Sequence, residues 1–296
     1  MSKIKHYILN NKIGLAITFV ILTIFIVILI LLLRINVIVN QVDDLQIRQS
    51  PQPTAKSLAK VSKGTKLIVL DNKSAWYKVR RDDKNDDQTV GWVASWVVQS
   101  KHLKRSTPLS EATIQLDAGH GGSDSGAIAN NGKSFEKTYT LKTVKRVQKL
   151  LEQRGARVVL TRDDDHFVSL AQRPEISRKQ NVDVFISFHF DSSDEANTAS
   201  GITQYYYHKQ NHSKIIAQYL SKRLNKLPLK NRGVDFGNFQ VLRDNQQPAV
   251  LLENGYINND KDFRYIRRVS YQQQIANNVT AALNDYFNHT VETNPR

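Results

Sequence analysis

The feature that most constrains this chain is a run of 21 residues, Ile13 to Leu33, with no charge and mostly Ile, Leu, Val and Phe. About 20 apolar residues in a helix cross the hydrocarbon core of a bilayer. A cleavable signal peptide has a shorter apolar core followed by a small-residue cleavage site. Here Arg34-Ile35-Asn36-Val37 follows instead. Residues 13–33 therefore read as an uncleaved transmembrane signal anchor. Lys3, Lys5 and Lys12 precede the run without an acidic neighbour, whereas Asp43 and Asp44 come soon after it. The positive-inside rule then assigns residues 1–12 to the cytoplasm. The rest must fold outside the cell membrane, as a single-pass protein.

The chain has no cysteine. Disulfides, thiolate metal sites and cysteine nucleophiles are excluded, so any metal must be held by His, Asp or Glu. The net charge is +15, which favours anionic surroundings such as nucleic acid, anionic lipid or an acidic wall polymer. Lys and Arg are scattered, however, without an arginine-rich tract or a nucleic-acid-binding module. The expected partners therefore include no nucleic acid.

Residues 41–99 show short aromatic and β-branched strands separated by turns, the pattern of a small β-barrel. Lys66 to Leu70 alternates, Asp71-Asn72 marks a turn, Ala75 to Val79 is a second strand, and Arg80 to Asp87 is a charged loop. Gly91 to Val97 closes the unit as a further strand. The opening Ile47-Arg48 with Pro51, the step Gly64 to Leu67, Trp76-Tyr77-Lys78-Val79 and Gly91-Trp92-Val93 resemble a bacterial SH3-like domain. Such modules commonly bind cell-wall peptides. Trp76, Trp92 and Trp96 are open to two readings, a binding groove or core. Residues 100–110, with Lys101, Lys104, Arg105 and Pro108, read as a linker.

From residue 111 to about 290, strand and helix patterns alternate, which indicates an α/β sheet with helices on both faces. Strands are expected at Ala112–Leu116, Ala156–Thr161, Val182–Phe188, Ile202–Tyr207 and Ala249–Leu252. Helices are expected over Tyr139–Gly155, Leu170–Gln180, Ser213–Leu224 and Tyr271–Tyr286. Three of the strands run into a residue able to bind metal or carry protons, namely His120, His189 and Glu253. Glu136 waits in the loop before the first helix. Strand C-termini share one edge of such a sheet, so these residues can meet there. Two histidines and a carboxylate with one position left open form a catalytic zinc set, although the ligand types alone do not exclude cobalt or manganese.

The same residues sit in five motifs that resemble, in order, those of zinc-dependent N-acetylmuramoyl-L-alanine amidases. The first is Asp117-Ala118-Gly119-His120-Gly121-Gly122-Ser123-Asp124-Ser125-Gly126-Ala127, and the second Ser134-Phe135-Glu136-Lys137 with Leu141. Leu160-Thr161-Arg162-Asp163 with Leu170 and Arg173 is the third, Ser187-Phe188-His189 the fourth, and Pro248 to Asn259 the last. The resemblance implies an amidase sheet holding one zinc ion on His120, Glu136 and His189, with Glu253 as the catalytic glutamate. It implies hydrolysis of the amide bond between N-acetylmuramic acid and L-alanine of peptidoglycan stem peptides, in wall synthesis or remodelling, and the short reach from the anchor puts that activity near the membrane. Arg173, Arg232 and Arg243 are candidate substrate contacts, and Asp117 and Asp191 candidate supports behind the ligands. Two departures stand out. Ala118 replaces the usual proline, and His189-Phe190-Asp191 replaces the usual His-Ala-Asn, adding bulk and charge beside the metal. The second departure motivates an alternative, a catalytically weak zinc-containing scaffold that binds the wall. The uncharged anchor also offers a surface for an activating membrane protein.

Overall fold

The computed structural model describes residues 11–32, 36–82 and 89–293. Most of the expected cytoplasmic tail, with Lys3 and Lys5, lies outside the described residues, as do Leu33 and Arg34. Helix α1 (Lys12–Leu32) is long and apolar enough to cross a membrane. At about 1.5 Å per residue it measures roughly 32 Å. Its two threonines turn their hydroxyls inward, Thr18 donating to the Gly14 carbonyl and Thr23 to that of Phe19. Pairing polar groups within the segment in this way is what a lipid environment demands.

Six strands follow: β1 (Val37–Val39), β2 (Leu45–Arg48), β3 (Ser57–Val61), β4 (Lys66–Lys73), β5 (Trp76–Arg81) and β6 (Val90–Ala94). They pair antiparallel in the order β1-β4-β5-β6-β2-β3 around Val42, Leu45, Ile47, Leu67, Val79 and Val93. Two local expectations need correction. β4 runs on through Asp71 and Asn72, and the hairpin turns at Ser74-Ala75, both with positive φ. That is the geometry a two-residue hairpin needs, here without the glycine that usually advertises it. The strand expected to reach Val97 stops at Ala94, and Ser95–Val98 is a helical turn, α2. Ser95 folds back there, donating both its N–H and its hydroxyl to the Ala75 carbonyl.

Residues 100–110 are tied to both units. The Asp43 N–H donates to the Lys104 carbonyl, the Ser106 N–H donates to the Asp43 carbonyl, and Leu109 is buried in the core of the second domain. Arg48 of β2 forms an ion pair with Glu111, and both side chains are buried. Glu111 also accepts from the Ser106 hydroxyl at 2.7 Å. Trp76 lies in the first core, whereas Trp96 packs edge-on against it at 5.9 Å. The Trp96 indole N–H donates to the carbonyls of Ser110 and Gly155. Trp96 therefore joins the two units.

The second sheet comprises β7 (Thr113–Ala118), β8 (Arg157–Leu160), β9 (Val184–Asp191), β10 (Ile202–Tyr206), β11 (Asn231–Phe236) and β12 (Ala249–Tyr256). Its order is β11-β10-β12-β9-β7-β8. β12, β9, β7 and β8 run parallel, whereas β10 is antiparallel to β12 and β11 runs with β10. Helices α3 (Glu136–Gln153), α5 (Ser213–Leu224) and α8 (Val269–Thr293) pack with the largest core, which includes Ile114, Leu116, Ile186, Val250 and Leu252. On the opposite face lie α4 (Gln172–Gln180) and the short α6 (Gln240–Arg243), over Phe185, Ala249 and Leu251. Helices thus cover both faces, as the alternation required. Pro174 falls in the first turn of α4, where a missing N–H costs nothing. Between β12 and α8 sits α7 (Asp260–Ile266), whose start is fixed by Asn259 accepting from the N–H groups of Lys261 and Asp262.

Candidate active site

Beyond Ala118 the chain leaves β7 and turns sharply. His120 adopts φ +63°, a conformation unusual for a residue with a side chain, and it is held there by its neighbours. Gly119 allows the approach of β9, since a Cβ at that position would lie 2.3 Å from the His189 imidazole. The two imidazoles consequently meet edge to face, with centroids 4.8 Å apart. Glu136, the first residue of α3, completes the group. Its Oε2 lies 3.0 Å from His120 Nε2 and its Oε1 3.0 Å from His189 Nδ1. The N–H groups of Ala127 and Phe190 donate to the same carboxylate at 3.0 and 2.9 Å. One ligand atom from each of the three residues falls within 4.8 Å of the others.

Asp124 Oδ2 lies 2.9 Å from His120 Nδ1, which directs Nε2 toward the group. Sequence reasoning quoted Asp124 within a motif but gave it no task. The signal was an acid four residues after a histidine, across a glycine turn. Burial alone would depress the His120 pKa, but Glu136 and Asp124 together raise it. Burial also works against ionised Glu136, yet the two imidazoles hold it well below the usual carboxylate range. Three converging lone-pair donors, two of them already oriented from behind, suit a divalent cation.

Glu253 emerges from β12 beside His189, with which it is in register on β9. It is 8% exposed, and its Oε2 is buried without a hydrogen-bond partner. Burial, then the charges of Glu136 and Asp191, push its carboxyl far above the ordinary range. An orphaned carboxylate oxygen next to a metal-binding group is poised to exchange protons.

The remaining expected residues divide sharply. Asp117 is a buried hub, with Oδ1 accepting from Thr161 and Arg173 and Oδ2 from Ser187. It ties β7 to β9, to α4 and to the chain leaving β8. Arg173 is 2% exposed and donates to the carbonyls of Ala118, His120 and Val168 as well as to Asp117. Its guanidinium braces the turn around His120. Arg162 does the same from the other side, donating to the Ala118 and Gly119 carbonyls. Arg232 donates to the Tyr256 hydroxyl at 2.8 Å, and Arg243 binds Asn238 and Asp244. Neither lines the cleft around Glu253, whereas Asp191 does. Phe190 also lines the cleft, but its ring is buried and packs edge-on to Tyr139 within the helical core.

The cleft measures about 710 Å³. Its walls carry Phe167, Val168 and Leu170 on one side and Phe239, Gln240 and Val241 on the other, with His120, Glu136, His189 and Glu253 between them. Removing one donor should empty the metal site. Native protein is expected to retain about one divalent ion per chain after gel filtration, and His189→Ala almost none, by elemental analysis. Retention of the ion by His189→Ala would place the metal elsewhere.

Known proteins resemble this chain in both units. Residues 114–285 match the N-acetylmuramoyl-L-alanine amidase family, and residues 43–99 match the bacterial SH3 domain. The probable cell wall amidase LytH of Staphylococcus epidermidis is 38% identical over 253 residues, covering 83% of this chain and 82% of the relative. An N-acetylmuramoyl-L-alanine amidase from Clostridium difficile 630 superposes with a TM-score of 0.58 at 31% identity, over 60% of this chain and 97% of that one. The CwlD amidase of Clostridioides difficile, solved in complex with the GerS lipoprotein, gives a TM-score of 0.57 at 28% identity, over 60% of this chain and 99% of that one. With a family match spanning most of the chain and the site residues gathered at one sheet edge, this protein belongs to the N-acetylmuramoyl-L-alanine amidases.

Proposed function

We propose that this amidase uses zinc, held by His120, Glu136 and His189, to cut the bond between N-acetylmuramic acid and L-alanine in peptidoglycan beside the membrane. The observation that carries the reading is the buried, unpartnered carboxylate of Glu253 facing the three-donor group. Zinc bound there would supply Lewis acidity, which makes a carbonyl more electrophilic and a water molecule easier to deprotonate. Glu253 accepts the proton from that water as its oxygen bonds to the lactyl carbonyl carbon. It then delivers the proton to the nitrogen of L-alanine as the C–N bond breaks, leaving a lactyl carboxylate and a free amine. Asp124 keeps the His120 ring oriented throughout, and Asp117 with Arg173 keeps the turn beneath it rigid.

Helix α1 supports the location. As a signal anchor it would hold residues 1–12 in the cytoplasm and both folded units outside, where the substrate lies. The SH3-like unit would add contacts to wall peptides.

The test uses the full chain in detergent with one equivalent of zinc on denuded peptidoglycan. Stem peptides with a free N-terminal L-alanine should appear by mass spectrometry, vanish with a chelator and return with zinc. Release that requires added bacterial membranes would point to an activating membrane partner; another amidase, CwlD, has been solved in complex with a lipoprotein. A metal-loaded protein that releases nothing even then would be the wall-binding scaffold.

A further inference from the structure

The cleft has more apolar wall than a single amide bond needs. Phe167 and Leu170 are each 54% exposed and Phe239 is 38% exposed, and all three line the cleft. Exposed apolar groups gathered around a site, rather than scattered singly, mark a surface that is covered in use. They also come from opposite edges of the sheet. Phe167 and Leu170 follow the edge strand β8, and Phe239 follows the other edge strand, β11, while His120, His189 and Glu253 lie on or just after strands between them.

Both walls are built rather than left loose. The Phe167 segment lies directly on Gly121 and Gly122. A Cβ on Gly121 would lie 2.2 Å from the His166 carbonyl oxygen, and one on Gly122 would lie 2.6 Å from the Phe167 nitrogen. Asp165 clamps the segment, accepting from the Gly122 N–H at 2.9 Å and from Lys137 at 2.8 Å. On the far side the Phe239 ring occupies the space a Cβ on Gly237 would fill, 2.6 Å away, and meets Tyr205 edge to face at 5.1 Å. Tyr205 is itself in register with Leu251, another residue of the cleft wall. The Phe239 ring is thus seated by a glycine and held by Tyr205, and the backbone that carries Phe167 is fixed over a glycine turn, so that a ligand need not order either wall's backbone.

We infer that Phe167 and Phe239 are saccharide-binding walls, each taking the C–H face of a sugar ring on one side of the reacting muramoyl unit. This rests on the amidase reading of the cleft and deepens it: the preferred substrate is an internal unit of a glycan strand rather than a free disaccharide peptide. The chemistry favours sugar over peptide. A pyranose presents a flat face of C–H groups with hydroxyls at its rim, matching an aromatic face with a wet edge. The two walls also stand on either side of the site, as a strand continuing in both directions requires. A stem peptide leaves the bond in one direction only.

The experiment measures binding rather than turnover. Peptide-free oligosaccharides of alternating N-acetylglucosamine and N-acetylmuramic acid are titrated calorimetrically into the zinc-loaded full chain in detergent. The hexasaccharide should bind roughly tenfold more tightly than the disaccharide. Phe167→Ala and Phe239→Ala should each weaken hexasaccharide binding roughly fivefold. Phe167→Tyr and Phe239→Tyr, which keep the ring, should restore it. Metal content near one ion per chain in each variant certifies the fold. Equal affinity for both lengths, hexasaccharide binding unaltered by both alanine variants, or a loss confined to binding of free stem peptide would each overturn the inference. The amidase reading fails separately: a protein that binds the strand as expected but releases no peptide keeps this inference and loses that one.

Discussion

Glu253→Gln should lower peptide release by about a thousandfold while leaving the metal in place. Glutamine keeps the size of the side chain but cannot accept and return a proton. The three metal donors are untouched, since Glu253 makes no hydrogen bond to them and its Oε2 has no partner at all. The same observation gives the expectation for stability. Burying a carboxylate without a partner is costly, and burial is the foremost cause of the upward shift of its pKa. The neutral variant should therefore melt no lower than the native protein, and a few degrees higher in its metal-free form. Peptide release, elemental analysis and a thermal melt on one preparation read all three quantities. Activity within about tenfold of native would show that another group carries the proton.

The second large effect is expected far from the chemistry. Arg48→Ala or Glu111→Ala should each cost about 3–5 kcal/mol of unfolding free energy: the second leaves a buried guanidinium without its counter-ion, and the first leaves a buried carboxyl, already pushed up by burial, with no cation to hold it ionised. Arg48→Met combined with Glu111→Leu should recover most of that loss, since both charges leave together. Some deficit should remain, because the Ala55 carbonyl and the Ser106 hydroxyl lose the partners they now have. Urea denaturation of the four proteins decides the matter. Single substitutions costing under about 1 kcal/mol would mean that the contact is open to water, as exposed pairs are.

This pair also shows where sequence reading stops. The site residues were legible because their chemistry is sparse and their positions are marked: His120 and His189 lie at strand ends, and Glu253 stands beyond a wholly apolar run. The sequence sets Glu136 in a loop, whereas it opens α3, a shift of a few residues that still leaves its carboxylate between the two histidines. Arg48 and Glu111 gave no such signal. They are 63 residues apart, in different units, and a charged residue is normally a surface residue. Only folding brings them together. β11 was missed because its six residues follow no two-residue alternation of buried and exposed side chains. The Ser74-Ala75 turn carries neither glycine nor asparagine, and the Asp71-Asn72 pair that resembled a turn lies within a bulged strand. Phe239 was invisible for a related reason. Its exposure depends on Gly237 and Tyr205, whose approach is set by the return of the chain across the sheet.

The joint between the two units has a kinetic consequence. Only four residues separate Leu32 of α1 from Val37, which is already paired in the first sheet. At most ~3.5 Å per residue, they span about 14 Å. Beyond them, among the described residues, Trp96, Arg48 and Glu111 tie the second unit to the first. With α1 in the bilayer, the catalytic cleft would patrol a plane instead of a volume. Its encounters with substrate would then be governed by lateral diffusion and by the rate at which new strands enter that plane, and lengthening the four-residue neck would change which stratum of the wall is trimmed before it changed how fast any bond is cut.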